Sequence, residues 1–229
     1  MKYKLTKKPK NVTIILGFPS AGLVSTIATK FLIEHLDVEK IGSFESVKIL
    51  PITAIHKGEI IDPISIYHNK KYNMIVIQSL AEVVGLEWAV ADQILKMAKE
   101  LKAKEIIVLE GSATPKEEIN TFYYSNKTKI KGLELIQEGA IMGVTAALFL
   151  KAGKFPVTCI FAETHVNFPD SEAAAKIVEA LDSYKNLKVD FKPLIASAKK
   201  FEANLKQYME KSKDILTKKQ QNSDLNYIG

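Results

Sequence analysis

Four short stretches of the chain, VTIIL at 12–16, MIVI at 74–77, IIVL at 106–109 and VTCIFA at 157–162, carry almost no polar side chain. Each is too short for a buried helix, and none alternates apolar with polar residues as a strand with one wet face would. They read as strands covered on both sides. Something apolar must then lie above and below them, and the sequence supplies it. Leu23, Ile27 and Phe31, with a second row through Ala28 and Leu32, recur at helical spacing within 23–36. Val90, Ile94, Met97 and Leu101 follow at intervals of 4, 3 and 4 within 86–102. Ala174, Ile177, Val178 and Leu181 make a third stripe, and Gly139–Lys151 (GAIMGVTAALFLK) is apolar nearly all round, which predicts a buried helix. Buried strands alternating with such helices predict an α/β fold: a parallel or mixed sheet with helices on both faces, three layers deep. With 229 residues, 47% of them hydrophobic, one such core accounts for the chain.

The remaining segments fill in the order. From Ile41 to Leu80, the turn signals KGEIIDP and HNKKYN separate ITAIH, ISIYH and MIVIQSL, which predicts hairpin strands. Residues 114–131 are polar, with TFYYSN as an edge strand or excursion. Asp170, ahead of SEAAAKIVEALDSYK, is placed to cap a helix, with Glu172 in its first turn. Both answer the free amide donors and the positive end of a helix dipole. Past VDFKP, Leu194, Phe201, Tyr208 and Ile215 recur seven apart with Ala198 and Leu205 between them, predicting a long helix with a lysine-rich wet side. The layout expected is a basic N-terminal arm at 1–10, an α/β core at 11–192, a long C-terminal helix at 193–219 and a flexible tail at 220–229.

A net charge of +6 invites a nucleic-acid reading until the charges are located. Lys2, Lys4, Lys7, Lys8 and Lys10 supply five of them with no acid among them, and the rest of the chain is near neutral. All 32 basic residues are lysines, so the planar fork that reads guanine edges or clamps phosphates is missing. Nucleic acid is not an expected partner. The abundance of Lys and Glu suits the ion-pair networks of a heat-adapted protein, and a biased genome would give the same count. No apolar stretch approaches the ~20 residues of a membrane helix, and MKYKLTKKPK leads into no apolar segment, which predicts a cytoplasmic protein without a membrane span. Cys159, the single cysteine, sits in PVTCIFA and reads as a small buried hydrophobe. No intrachain disulfide is possible, and without a CxxC pair no metal or other cofactor is expected.

GFPSAG follows the first strand and opens the first helix, where many α/β proteins hold a phosphate. It has neither the GxxxxGKS or GxxxxGKT spacing of a P-loop nor GxGxxG, and Pro19 removes one amide donor. Gly17, Pro19 and Gly22 therefore read as turn and packing residues, with an anion site as the competing reading. Glu110 and Ser112 in LEGSATP stand at a strand's carboxyl end, where open α/β sheets place ligands, and are candidate pocket residues. His165 in AETHVNFPD, with Glu163 and Asp170, is a candidate loop cluster for acid/base or metal chemistry, or for capping and loop hydrogen bonds. No other histidine has neighbours suited to a site.

Taken together, GFPSAG, GAIMGVTAALFLKAG and FPDSEAAAKIVEALDSYKNLKVDFKPLIASAKKFEANLKQYME resemble the PAC2 family over roughly Asn11 to Glu210. Its archaeal members are proteasome assembly chaperone homologues. The last segment is the most specific: a capped alanine-rich helix, a short VD link and a long charged helix in fixed order. The opening turn in the family more often reads GWPDAG; here Phe18 stands for the tryptophan and Ser20 for the acid. The resemblance implies a homo-oligomer, a tetramer or pentamer, with a nucleoside-phosphorylase-like core. It implies binding to the α-subunits or α-ring of the 20S proteasome, with no catalytic residues. Some members dock through a C-terminal hydrophobic-tyrosine-any signature. This chain ends Asn226, Tyr227, Ile228, Gly229, with its tyrosine third from the end, and Leu225, Tyr227, Ile228 and Gly229 are the candidate partner-binding tail. The rival readings are a small-molecule-binding, hydrolytic or phosphorolytic enzyme of the same shape and a nucleic-acid-binding oligomer. The first needs a closed pocket of convergent polar groups and the second a continuous lysine face; a chaperone needs neither.

Overall fold

Ile14 and Leu16 of the first apolar run point to one side of the sheet and Ile15 to the other, and all three are fully buried. That is what a strand without polar residues requires. The computed structural model describes residues 1–56, 58–114, 119–164 and 169–196. In chain order they form β1 (Lys2–Leu5), β2 (Thr13–Gly17), a single 3-10 turn (Ala21–Leu23), α1 (Val24–His35), β3 (Val38–Glu45), β4 (Ala54–His56), β5 (Glu59–Ile61) and β6 (Ile64–Asn69). There follow β7 (Met74–Ser79), α2 (Glu87–Glu100), β8 (Glu105–Ala113), β9 (Thr121–Ser125), β10 (Glu134–Leu135), α3 (Gly143–Lys151), β11 (Val157–Thr164) and α4 (Ser171–Lys185). The chain turns helical again at 192–196.

Nine strands make one mixed sheet in the order β1-β3-β6-β7-β2-β8-β11-β9-β10. The four central strands, β7, β2, β8 and β11, run parallel and contain the four apolar runs. Antiparallel strands extend the sheet on both sides, through β6, β3 and β1 on one and through β9 on the other. α1 and α4 cover one face, packing Phe31, Leu32, Ile177 and Leu181 over Ile15, Ile107 and Ile160. α2 and α3 cover the opposite face, packing Ile94, Met97 and Leu148 over Ile14, Leu16 and Val108. This is the three-layer arrangement the alternating pattern calls for. Cys159 is fully buried in the second of these layers.

The structure departs from the sequence reading in four places. KGEIIDP is more than a separator, because its EII forms β5 and pairs with β4 as a two-stranded sheet of its own. ISIYH pairs instead with β3 and β7. Gly139–Lys151 is helical only from Gly143, and it is not buried all round: Met142 is 82% and Leu150 73% exposed. One side of α3 suffices to cover the sheet, so the apolar residues on the other side are left over. TFYYSN is one strand in from the edge, between β11 and the two-residue β10. Finally, the basic stretch at 1–10 supplies β1, the outermost strand, antiparallel to β3. Lys4, Lys7 and Lys8 pair there with Glu45, Glu39 and Glu100, at 2.7, 2.5 and 2.7 Å. Of the long helix expected at 193–219, only the start through Ala196 is within the described residues, and the tail at 220–229 lies outside them.

Candidate functional site

A parallel sheet with helices on both faces opens a crevice beyond the carboxyl ends of its strands. Here a cleft of ≈ 440 Å³ lies at that end, between the turn after β2, the loop after β7, the end of β8 and the start of α3. Phe18, Val83, Met142 and Phe161 give it apolar walls. Its polar lining includes Ser20, Ser112 and three carboxylates, Glu82, Glu87 and Glu110. Among the described residues no lysine lines it, in a chain with 32. Among the described residues an anion would meet negative charge there and no cationic partner.

Glu110 stands opposite Phe161 in the β8–β11 pairing, and the Thr145 hydroxyl of α3 donates to its carboxylate. Burial pushes its pKa up to about 7, against the opposing effect of that hydrogen bond. Burial and the neighbouring Glu110 charge together raise the Cys159 thiol, which keeps it protonated and unreactive. The consequence for stability has a definite sign. Because the folded chain holds the Glu110 proton more tightly than the unfolded chain, stability falls as pH rises from about 4.5 to about 7. Glu110→Gln keeps the shape and the acceptor for Thr145 but carries no charge. It is expected to match the parent chain in urea unfolding near pH 4.5 and to exceed it by about 1–3 kcal/mol at pH 8. Equal stabilities at pH 8 would show that the carboxylate is solvated after all.

The GFPSAG turn is filled by the protein itself. Gly22 has φ +61°, and a Cβ there would lie 2.2 Å from the Thr164 hydroxyl. The Gly111 amide donates to Ser20 Oγ at 3.1 Å, and the Asp170 amide donates to the Gly22 carbonyl at 2.8 Å. Gly17 lies just as tightly under α1, with the Ser25 carbonyl 2.6 Å from where its Cβ would be. Pro19 forms part of the cleft wall. The turn thus bolts β2 to β8, to Thr164 at the end of β11 and to Asp170 at the start of α4.

Asp170 caps α4, accepting from the Ala173 amide at 2.8 Å, while its other oxygen accepts from the Thr164 hydroxyl at 2.8 Å. Glu163 accepts instead from the amide and side chain of Asn120, at 3.2 and 3.0 Å. Neighbours along a strand point to opposite faces, so Thr164 with Asp170 and Glu163 are separated by the sheet. His165 lies outside the described residues, as do Leu225, Tyr227, Ile228 and Gly229. Of the sequence candidates, the fold brings Glu110, Ser112 and Pro19 to one cleft and sets Asp170 apart from it. Thr145 and Phe161 were missed. A lone hydroxyl in GVTAALF was the available signal for the first, and none marked the second. No group of three or more His, Cys, Asp or Glu among the described residues could hold a metal ion.

The fold is thus a three-layer α/β protein with a sheet-end cleft of apolar and acidic lining among the described residues and a glycine turn packed closely against β8 and Thr164. The chain belongs to the PAC2 family, whose profile matches residues 14–209. An uncharacterized protein of Methanocaldococcus jannaschii is 30% identical over 219 residues, covering 91% of this chain and 90% of that one. The crystal structure of Pyrococcus furiosus PbaA, an archaeal homolog of proteasome-assembly chaperone, matches with a TM-score of 0.81 at 25% identity over 100% of both chains. That of PbaB from the same organism, an archaeal proteasome activator, has the same fold, with a TM-score of 0.76 at 21% identity over 91% of this chain and 98% of that one. No helix among the described residues is long and apolar enough to cross a membrane.

Proposed function

We propose that this protein is a non-enzymatic proteasome assembly chaperone or proteasome-binding protein that engages the α-subunits or α-ring of the 20S proteasome. It works as a homo-oligomer, a tetramer or pentamer, in the cytoplasm, and part of the contact is made by the C-terminal tail through Leu225, Tyr227, Ile228 and Gly229. The observation that carries this reading is the end-to-end likeness to PbaA. The cleft is in keeping with it, since its described lining is apolar and acidic with no lysine to hold a phosphate. Purified full-length protein is expected to retain 20S α-subunits from its own cell extract in a pull-down, and to shift a purified α-ring in native electrophoresis. Failure of both would remove the reading.

The rival enzyme of nucleoside-phosphorylase shape makes an opposite forecast. The purified protein is expected to release no base from nucleosides in the presence of phosphate, because the chain has no arginine and the cleft no described lysine to hold the anion. Turnover that survives further purification and disappears in Glu110→Gln would restore the enzyme.

A further inference from the structure

The cleft beyond the ends of β7 and β8 is one half of a longer groove. A second cavity of ≈ 510 Å³ adjoins it and shares Ser112, Ala140, Ile141 and Phe161 with it. Aromatic rings wall this second chamber: Phe122 stacks on Phe161 at 5.1 Å, and Tyr124 meets Phe149 edge-on at 5.1 Å. The charge along the groove is of one sign. Glu82, Glu87 and Glu110 line the first chamber and Glu138 the second, and among the described residues neither chamber has a lysine or a histidine. Large apolar side chains stand open beside both. Val84 and Met142 at the first chamber are 80% and 82% exposed, and Leu150 at the second is 73% exposed. A small ligand in either chamber would leave most of them wet, whereas a chain laid over both would cover them.

Glu110 adds a directional requirement. Thr145 donates to one oxygen of its carboxylate, and among the described residues nothing donates to the other. A guanidinium fork needs both oxygens; an ammonium needs one, and its four-carbon stem can lie along apolar walls. We infer that this two-chambered groove is a docking site for an extended segment of a partner protein, which sets a lysine ammonium against Glu110 and a large apolar side chain among Phe122, Tyr124 and Phe149. Charge complementarity chooses the occupant. A carboxylate held among apolar walls is costly when alone, and an arriving cation offsets that cost where an anion or a neutral group cannot. The inference does not depend on the proteasome reading above, and either can fail without the other.

The probe is a library of phage-displayed random heptapeptides, panned against the immobilised full-length chain at pH 8, where Glu110 is ionised. Enriched sequences are expected to carry a lysine with a leucine, phenylalanine or tyrosine within about four positions, roughly 13 Å of extended chain. Enrichment of lysine-free sequences, or of none, overturns the proposal. A selected peptide is then synthesised and its binding read by fluorescence anisotropy. Replacing its lysine by norleucine, which keeps the stem and removes the charge, should weaken binding to the parent chain about tenfold or more. The same replacement should cost about twofold or less against Glu110→Gln, where the ion pair is already gone. Equal costs on the two chains overturn the pairing with Glu110 and the site with it. Tyr124→Ala should weaken the parent peptide about fivefold or more, and no loss there overturns the two-chambered seating. Glu179→Gln, on α4 and so on the opposite face of the sheet, should bind as the parent does. Dissociation of the parent oligomer on saturation with peptide would assign the groove to a second copy of this chain and overturn the proposal as well.

Discussion

Gly111→Ala is expected to destabilise the fold by about 3–5 kcal/mol, the cost of forcing a side chain into a space already held by backbone. A Cβ at this position would lie 2.1 Å from the Ala21 carbonyl oxygen and 3.0 Å from its carbon. Neither atom can rotate away, because the turn that carries Ala21 is tied down on both sides, by Ser20 to the Gly111 amide and by Gly22 to the Asp170 amide. Relief requires the 3-10 turn and α1 to lift off β8, which loosens Val24 from the core and breaks the Ser20 hydrogen bond. At ~2–4 °C per kcal/mol for a chain of this size, the melting temperature should fall by roughly 6–20 °C. Gly143→Ala is the control. Gly143, unlike Gly111, has a left-handed φ, +66°, and nothing lies within 4 Å of its would-be Cβ. Only the backbone preference is at stake there, about 1 kcal/mol. Urea unfolding of the two variants side by side decides the matter: a loss for Gly111→Ala no larger than that for Gly143→Ala would mean that the turn yields and the close approach of β8 costs little.

Deleting Leu225–Gly229 is expected to weaken α-ring binding about tenfold or more while leaving fold and oligomer intact. The last residues of the chain carry three apolar side chains, Leu225, Tyr227 and Ile228, after a polar lysine-bearing stretch. On the function proposed above, several copies of such a tail on one oligomer would engage a ring in succession. Each first contact raises the effective concentration of the next, so modest individual affinities multiply. Tyr227→Ala should reproduce most of the loss, since an aromatic seated in a pocket carries a disproportionate share of binding energy. Surface plasmon resonance on immobilised α-rings, with parent, truncated and Tyr227→Ala oligomers at matched mass, reads this directly. Equal affinities would assign the contact to the body of the oligomer. They would leave the PAC2 membership untouched, because that rests on residues 14–209.

How far the chain was legible depended on whether the forces at a position act along the sequence or across it. The four central strands and the four helices were readable because burial on one face or two leaves a period in the chain, and Ile14, Ile15 and Leu16 display both faces within a single turn of the pleat. Asp170 was readable as a cap because its partner, the Ala173 amide, is three residues away. The strand order was not, because the pairings of β2 with β7 and β8 join segments some sixty and ninety residues apart, at which distance no local pattern survives. β5 was hidden for another reason: its partner β4 is only a few residues back, but EII stands between turn residues on both sides and is a strand because it folds back on ITAIH. At the candidate site, Glu110 announced itself as a carboxylate at a strand's end. Its raised pKa and its bond to Thr145 depend on α3 closing over it from thirty-five residues away. The glycines of GFPSAG gave notice of a turn, but what the turn is for was set by Gly111 and Thr164 pressing against it. Local periodicity and capping thus determined the elements of this protein and its fold class. Long-range packing, which alone decides which surfaces touch and which are left open, determined that its glycine turn is a bolt and that the described lining of its cleft is acidic and apolar.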